Sequence, residues 1–238
     1  MTVLVVTAVF LAVYNNVAHI SIWEKVWSRS YVVLNLAVAG SMLLLARPLL
    51  TATQLGLGED SWLPGLAWGA LTMVAGAAVL FLSQRVPVVA KTFEDRRYAE
   101  LSDADAVRHA LVRVPLGTAL LEEVAFRGIL FALLESAFST WVAVIGSSVI
   151  FGIWHVGPVL RNLRANGSPP GTPGGWPGLW RGLGLTTLAG LGFGLLRVWS
   201  GGILAPFLLH WAVNALGVLT AVQRQRRLAS ERVVTSET

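Results

Sequence analysis

Seven apolar runs, each close to the length of a membrane crossing, divide this chain of 238 residues. They fall at about residues 2–20, 31–50, 62–83, 109–134, 140–159, 182–198 and 203–222. A hydrocarbon core of about 30 Å is crossed by roughly 20 helical residues at a rise of 1.5 Å. The pattern therefore predicts an all-α fold, a polytopic transmembrane helical bundle. Composition agrees: 13% of residues are charged, against about 25% in a soluble domain, and the mean hydropathy is +0.65.

The first run has no Lys or Arg before Lys25 and no small-residue cleavage motif after it. It reads as a retained helix rather than a secretory signal. Cysteine is absent, which excludes disulfides, thiolate nucleophiles and Cys-bound zinc. The net charge of +5 is a topology signal, because one set of loops and the tail hold 14 of the 18 basic residues. The opposite side has Arg47 and Arg197. That asymmetry puts the amino terminus outside and the carboxyl terminus in the cytoplasm, and it removes the case for a nucleic-acid partner. Sixteen of the 18 are Arg, and with abundant Ala, Gly and Val this points to a GC-rich bacterial genome and a bacterial plasma membrane.

One transmembrane domain is expected over 1–222, with its motif-bearing core at about 105–222 and a polar, fraying tail at 223–238. Residues 84–108 form a charged cytoplasmic connection, read as a surface helix or a solvated loop. Residues 166–178 hold four prolines and five glycines, a composition that predicts an irregular connector. Gly190 and Gly194, flanked by Gly184 and Gly192, predict a close helix–helix approach. Trp23, Trp27, Trp62, Trp180 and Trp199 are expected as interfacial anchors. His19 and His109 read as interfacial, and Asn15 and Asn16 as helix–helix hydrogen-bonding groups.

The chemistry is carried by charge placed where it is expensive. Glu122, Glu123 and Arg127 interrupt the fourth run, and each such charge costs on the order of 3 kcal/mol at a bilayer centre. Four residues apart on one helix face, Glu123 and Arg127 can pair. Glu122, rotated by about 100°, lacks a cation at that spacing and is available as a general base. Two further runs bring Phe151 with His155, and His210 with Asn214, each four apart. The first supplies an imidazole beside an aromatic wall, the second two donors suited to a developing oxyanion. Polar groups from three helices imply one converging cavity, with Glu122, His155 and His210 within roughly 8 Å of one another. The loop charges imply a funnel open to the cytoplasm and narrowing toward Glu122, the Gly/Pro loop at its rim.

The ordered trio Glu-Glu-x-x-x-Arg, Phe-x-x-x-His and His-x-x-x-Asn on successive membrane helices resembles the CPBP family. This group comprises the type II CAAX prenyl endopeptidases and the bacterial Abi proteins of bacteriocin processing or immunity. The resemblance spans about residues 115–217. It implies eight membrane helices against the seven counted here, hence either a missing terminal helix or a run at 104–134 broken in two. It also implies that Glu122 and His155 activate the attacking water, that His210 and Asn214 hold the oxyanion, and that Glu123 and Arg127 support the site. The family is often labelled metalloprotease, and Glu122, His155 and His210 form a His₂Glu set of the kind that binds catalytic zinc. A metal-free glutamic route uses the same residues with fewer additional groups, so the expected cofactor is none or zinc. The expected function is an intramembrane endopeptidase acting on a peptide precursor or lipid-modified protein, in contact with membrane lipids. The alternatives are a non-catalytic immunity or regulatory partner and a transporter, the latter disfavoured by the absence of repeat symmetry.

Overall fold

The structure, a computed structural model, describes residues 1–18 and 24–236. His19 and Trp23 lie outside the described residues, as does the side chain of Trp27. The described residues form helices with no strand, their β-structure limited to a bridge between Pro170 and Thr172. The helices are α1 (Thr2–Ala18), α2 (Glu24–Ala46), α3 (Trp62–Ser83), α4 (residues 103–137), α5 (Thr140–Trp154), α6 (Val156–Ala165), α7 (Gly175–Ser200) and α8 (Leu204–Ser236). Short one-turn helices fill the connection from Pro87 to Tyr98, so residues 84–108 are neither one surface helix nor a plain loop.

Four stretches are long and apolar enough to cross a membrane: Glu59–Ser83, Thr140–Ala165, Gly175–Ser200 and Leu204–Glu231. The apolar helices Thr2–Val17 and Ser30–Ala46 are shorter. With α4 these make seven among the described residues, the number expected, though they differ in length and polarity. α4 falls outside the set of four because it carries the charged motif at its centre. All eight residues of its Glu123–Leu130 segment are buried, so the bundle encloses this helix and hides its charges from lipid. The outer surface is apolar instead: Leu45, Leu63, Val74, Trp141 and Leu188 all stand out from the bundle, as a lipid-facing belt requires.

α4 is one uninterrupted helical run, so the 104–134 region does not break into two elements. Its winding alternates: His109–Ala119 and Glu123–Leu130 are π-helical, with a short α-turn at Leu120–Glu122 between them. Pro115 lies inside the first π segment and has no N–H to donate. In the i→i+5 pattern that missing bond would reach the carbonyl of Ala110, and Trp211 Nε1 of α8 donates to that oxygen at 2.9 Å instead. One turn on, Asn35 Nδ2 of α2 donates to Gly117 O at 2.6 Å. Neighbouring side chains thus satisfy α4 carbonyls where water is absent.

α5 and α7 pack closely through glycine. A Cβ on Gly190 would stand 3.1 Å from Ser148 and 3.3 Å from Phe151, and one on Gly194 would stand 3.4 Å from Val144. Gly184 and Gly192 have nothing within 4 Å of such a Cβ and lie off this contact. Two sequence expectations are corrected. Gly175–Gly178 already belong to the first turn of α7, where Pro177 lacks only an N–H that a helix start leaves unbonded anyway. The tail is helical through Ser236, anchored by Arg224 on Glu94 at 2.7 Å and Arg226 on Asp103 at 2.5 Å.

Candidate active site

Three helices deliver the motif residues to one point. Glu122 comes from the α-turn between the two π segments of α4, His155 from the junction of α5 and α6, and His210 from the second turn of α8. Glu122 Oε2 stands 3.9 Å from His155 Nε2 and 3.6 Å from His210 Nε2. These are beyond hydrogen-bonding range, and that oxygen is buried with no partner among the described residues. Its other oxygen, Oε1, accepts from Trp154 Nε1 at 3.0 Å.

The outer nitrogens of the two imidazoles fix their tautomers. His155 Nδ1 lies 2.7 Å from the Phe151 carbonyl oxygen; a carbonyl only accepts, so Nδ1 carries the hydrogen and Nε2 presents a lone pair toward Glu122. His210 Nδ1 lies 2.7 Å from Glu123 Oε1, so it too donates outward. Glu122 Oε2 and His155 Nε2 thus converge as acceptors on a gap suited to a species that brings protons, and His210 Nε2 faces the same gap.

Glu123 pairs with Arg127 as expected and has a second, closer partner. It meets Arg127 at 3.5 Å, whereas its bond to His210 is 2.7 Å. One imidazole therefore faces both carboxylates, through Nδ1 to Glu123 and through Nε2 to Glu122. Arg127 is held mainly by other means. Its guanidinium lies 4.3 Å from the centre of the Phe151 ring and 5.0 Å from that of Phe193, and Nη2 donates to Gly190 O at 3.1 Å. Cation–π contacts of this kind strengthen where water is excluded.

Phe151 is more than a wall. Its ring packs edge-on against His155 at 4.5 Å, while its carbonyl fixes the tautomer. Phe193 stacks on His210 at 4.8 Å and 18°. Sequence reasoning missed Trp154 and Phe193. The available signals were a tryptophan in mid-run beside a motif histidine, and a lone aromatic in the Gly-rich turn Gly190–Gly194.

α5 ends at Trp154 and α6 begins at Val156, with His155 between them at φ −91° and ψ 4°. The break is splinted from α1. Asn15 Nδ2 donates to Trp154 O at 3.1 Å, Asn16 Nδ2 to Ile153 O at 2.9 Å, and Gly157 N donates to Asn16 Oδ1 at 2.6 Å. The two asparagines make helix–helix hydrogen bonds as expected, and those bonds hold the backbone on either side of His155.

A cavity of about 590 Å³ reaches this point, with Glu122, His155 and Asn214 along it and Arg97, Tyr98 and Arg161 toward its far end. None of its lining residues comes from 166–178, so the Gly/Pro loop does not form its rim. The rim is built by the connection around Asp95, whose carboxylate accepts from Arg97 at 2.5 Å and from Asn162 and Asn166 at 3.4 and 3.2 Å. Burial opposes the Asp95 charge, and the Arg97 hydrogen bonds and charge outweigh it, so its pKa lies below the usual carboxylate range. His109, expected at an interface without company, also lines the cavity and packs edge-on against Tyr98 at 5.8 Å.

Residues 106–216 match a family model described as Type II CAAX prenyl endopeptidase Rce1-like. Over these residues the chain is similar to the Rce1-like endopeptidases. The match takes in Glu122, Glu123, Arg127, Phe151, His155, His210 and Asn214, and agrees with the CPBP resemblance drawn from the motifs. The similarity is to CAAX-type endopeptidases, and together with four helices long and apolar enough to cross a membrane it supports an integral membrane protein. No curated protein and no solved structure matches the chain.

The zinc question has a geometric side. Glu122, His155 and His210 are the right kinds of donor, and each imidazole donates its other N–H outward as metal-bound histidines do. Among the described residues, however, no three such side chains are grouped with metal-ligand spacing. The donor set fits zinc in kind, and Glu122 Oε2 stands 3.9 and 3.6 Å from the two imidazole nitrogens.

Proposed function

We propose that the Rce1-like domain hydrolyses a peptide bond within the membrane by a glutamic route. The observation that supports it is the convergence of Glu122 Oε2, His155 Nε2 and His210 Nε2 on one gap beside a cavity. A water in that gap donates one hydrogen to Glu122 and the other to His155 Nε2. As its oxygen attacks the scissile carbonyl carbon, Glu122 takes the proton, and an oxyanion forms. His210 in its doubly protonated form and the Asn214 amide donate to that oxyanion. Glu123, 2.7 Å behind His210 Nδ1, stabilises the imidazolium as a triad carboxylate does. The carbon–nitrogen bond then breaks while Glu122 returns its proton to the leaving amine. Counting both carboxylates, Arg127 and one His210 proton, the buried cluster is electrically neutral, which limits its cost in a low-dielectric site.

The substrate in this reading is a peptide precursor or lipid-modified protein reaching the cavity from the cytoplasmic side. The concentration of Arg and Lys in one set of loops supports that orientation. A cysteine introduced at Ser230, in a chain with none, is then labelled only from the cytoplasm, and labelling from outside overturns the orientation. The activity itself is tested by comparing membrane peptides from cells expressing the native chain and His155→Ala at equal level. A product present with the first and absent with the second is expected, and identical peptide sets reject the proposal. In the same assay, stripping the membranes with a zinc chelator leaves the product unchanged, and its loss on chelation would show that a metal is required.

A further inference from the structure

The catalytic cavity shares a wall with a second depression, whose chemistry is different. Between α2 and the start of α4 lies a groove of about 470 Å³, bordered by Tyr31, Val33, Arg108, His109, Val112 and Arg113. Tyr31, His109 and Arg113 line the catalytic cavity as well. We propose that this groove holds the headgroup of an anionic phospholipid.

Charge is the first argument. Arg108 and Arg113 both border the groove, and the Arg113 guanidinium lies 4.2 Å from the centre of the Tyr31 ring. That ring is fixed in turn by a hydrogen bond between its hydroxyl and Thr118 at 3.0 Å, so the cation is positioned in advance. The one acid on the lining is Asp105, and its carboxylate already accepts from Ser102 Oγ at 2.7 Å.

Position is the second argument, and it selects a lipid over a soluble anion. Along α4, Arg113 and Arg108 precede Glu122 by nine and 14 residues, toward the end where Asp103 pairs with Arg226. The apolar helix Ser30–Ala46 also begins beside this groove, so the groove sits at the end of an apolar segment, where headgroups follow the hydrocarbon. The flanks of the groove remain apolar and outward-facing, with Val33 71% and Val112 42% exposed, which suits acyl chains running down from a headgroup. Basic pockets between membrane helices are a recurrent way of holding anionic headgroups.

The test uses the purified, delipidated full chain and native mass spectrometry. It is titrated with dioleoylphosphatidylglycerol, with dioleoylphosphatidylcholine, and with glycerol phosphate. One phosphatidylglycerol should bind the native chain about thirtyfold more tightly than it binds Arg108→Gln/Arg113→Gln, the scale set by two guanidiniums near a membrane surface. Phosphatidylcholine should not distinguish the two proteins. Arg108→Gln alone, altering an exposed side chain, should lose about fivefold and keeps the test decisive if the double variant folds poorly. Equal binding of both lipids, or no loss in Arg108→Gln, overturns the proposal. Glycerol phosphate binding as tightly as the lipid also overturns it, by showing a site for soluble anions.

Discussion

Glu122→Gln lowers peptide cleavage by about 10²–10⁴-fold, the range for loss of a positioned general base, while the bundle stays folded. The substitution is nearly isosteric, and its side-chain oxygen can still accept from Trp154 Nε1 as Oε1 now does. What disappears is the basic oxygen facing His155 and His210, since a carboxamide nitrogen cannot take a proton from water. Replacing an orphaned acceptor with a donor removes an unfavourable contact, so the melting temperature in detergent should hold or rise. Cleavage near the native rate in Glu122→Gln would assign the base elsewhere. Loss of cleavage together with loss of helix by circular dichroism would make Glu122 a structural residue.

Arg127→Ala is expected to destabilise the protein by about 3–5 kcal/mol, the usual result of removing one member of a buried ion pair. Three separate losses contribute. Glu123 keeps its charge beside His210 without a second cation, Gly190 O loses its donor, and the space between the Phe151 and Phe193 rings is left unfilled. Arg127→Lys should restore little of this, because an ammonium cannot offer planar faces to two rings while also donating to a carbonyl and a carboxylate. Thermal unfolding in detergent, followed by circular dichroism, measures both variants. A melting temperature for Arg127→Ala equal to that of the native chain contradicts the account.

How much of this was legible in the sequence depends on the range of each interaction. Glu122, Glu123 and Arg127 were visible because charge in an apolar run is costly and therefore informative. His155 and His210 followed by the same reasoning, and their grouping with Glu122 followed from the cost of leaving each alone in lipid. The pairing of Glu123 was legible only by half. Helical spacing gave Arg127, but the nearer partner, His210, lies 87 positions away and is reached through tertiary packing. The π-winding of α4 was not legible, although Pro115 was in view, because the bond that replaces its lost donor comes from Trp211 on another helix. Hydropathy gave seven spans, and the described residues supply seven, as four long apolar helices, two shorter ones and a buried charged one. Counting apolar residues does not reveal which helix the others will surround.

The splint at His155 bears on where this protein can be divided. Asn15 and Asn16 belong to α1, far upstream of the 106–216 region that matches the family model. Yet their amides hold the carbonyls of Ile153 and Trp154, and accept from Gly157, at the point where α5 stops. Excised as residues 106–216, the matched region would leave those backbone groups uncapped in lipid, with His155 on a loose joint. The boundary drawn by sequence similarity is thus not a boundary of folding: the amino-terminal helix, the part least recognisable by sequence, is a working component of the motif-bearing half.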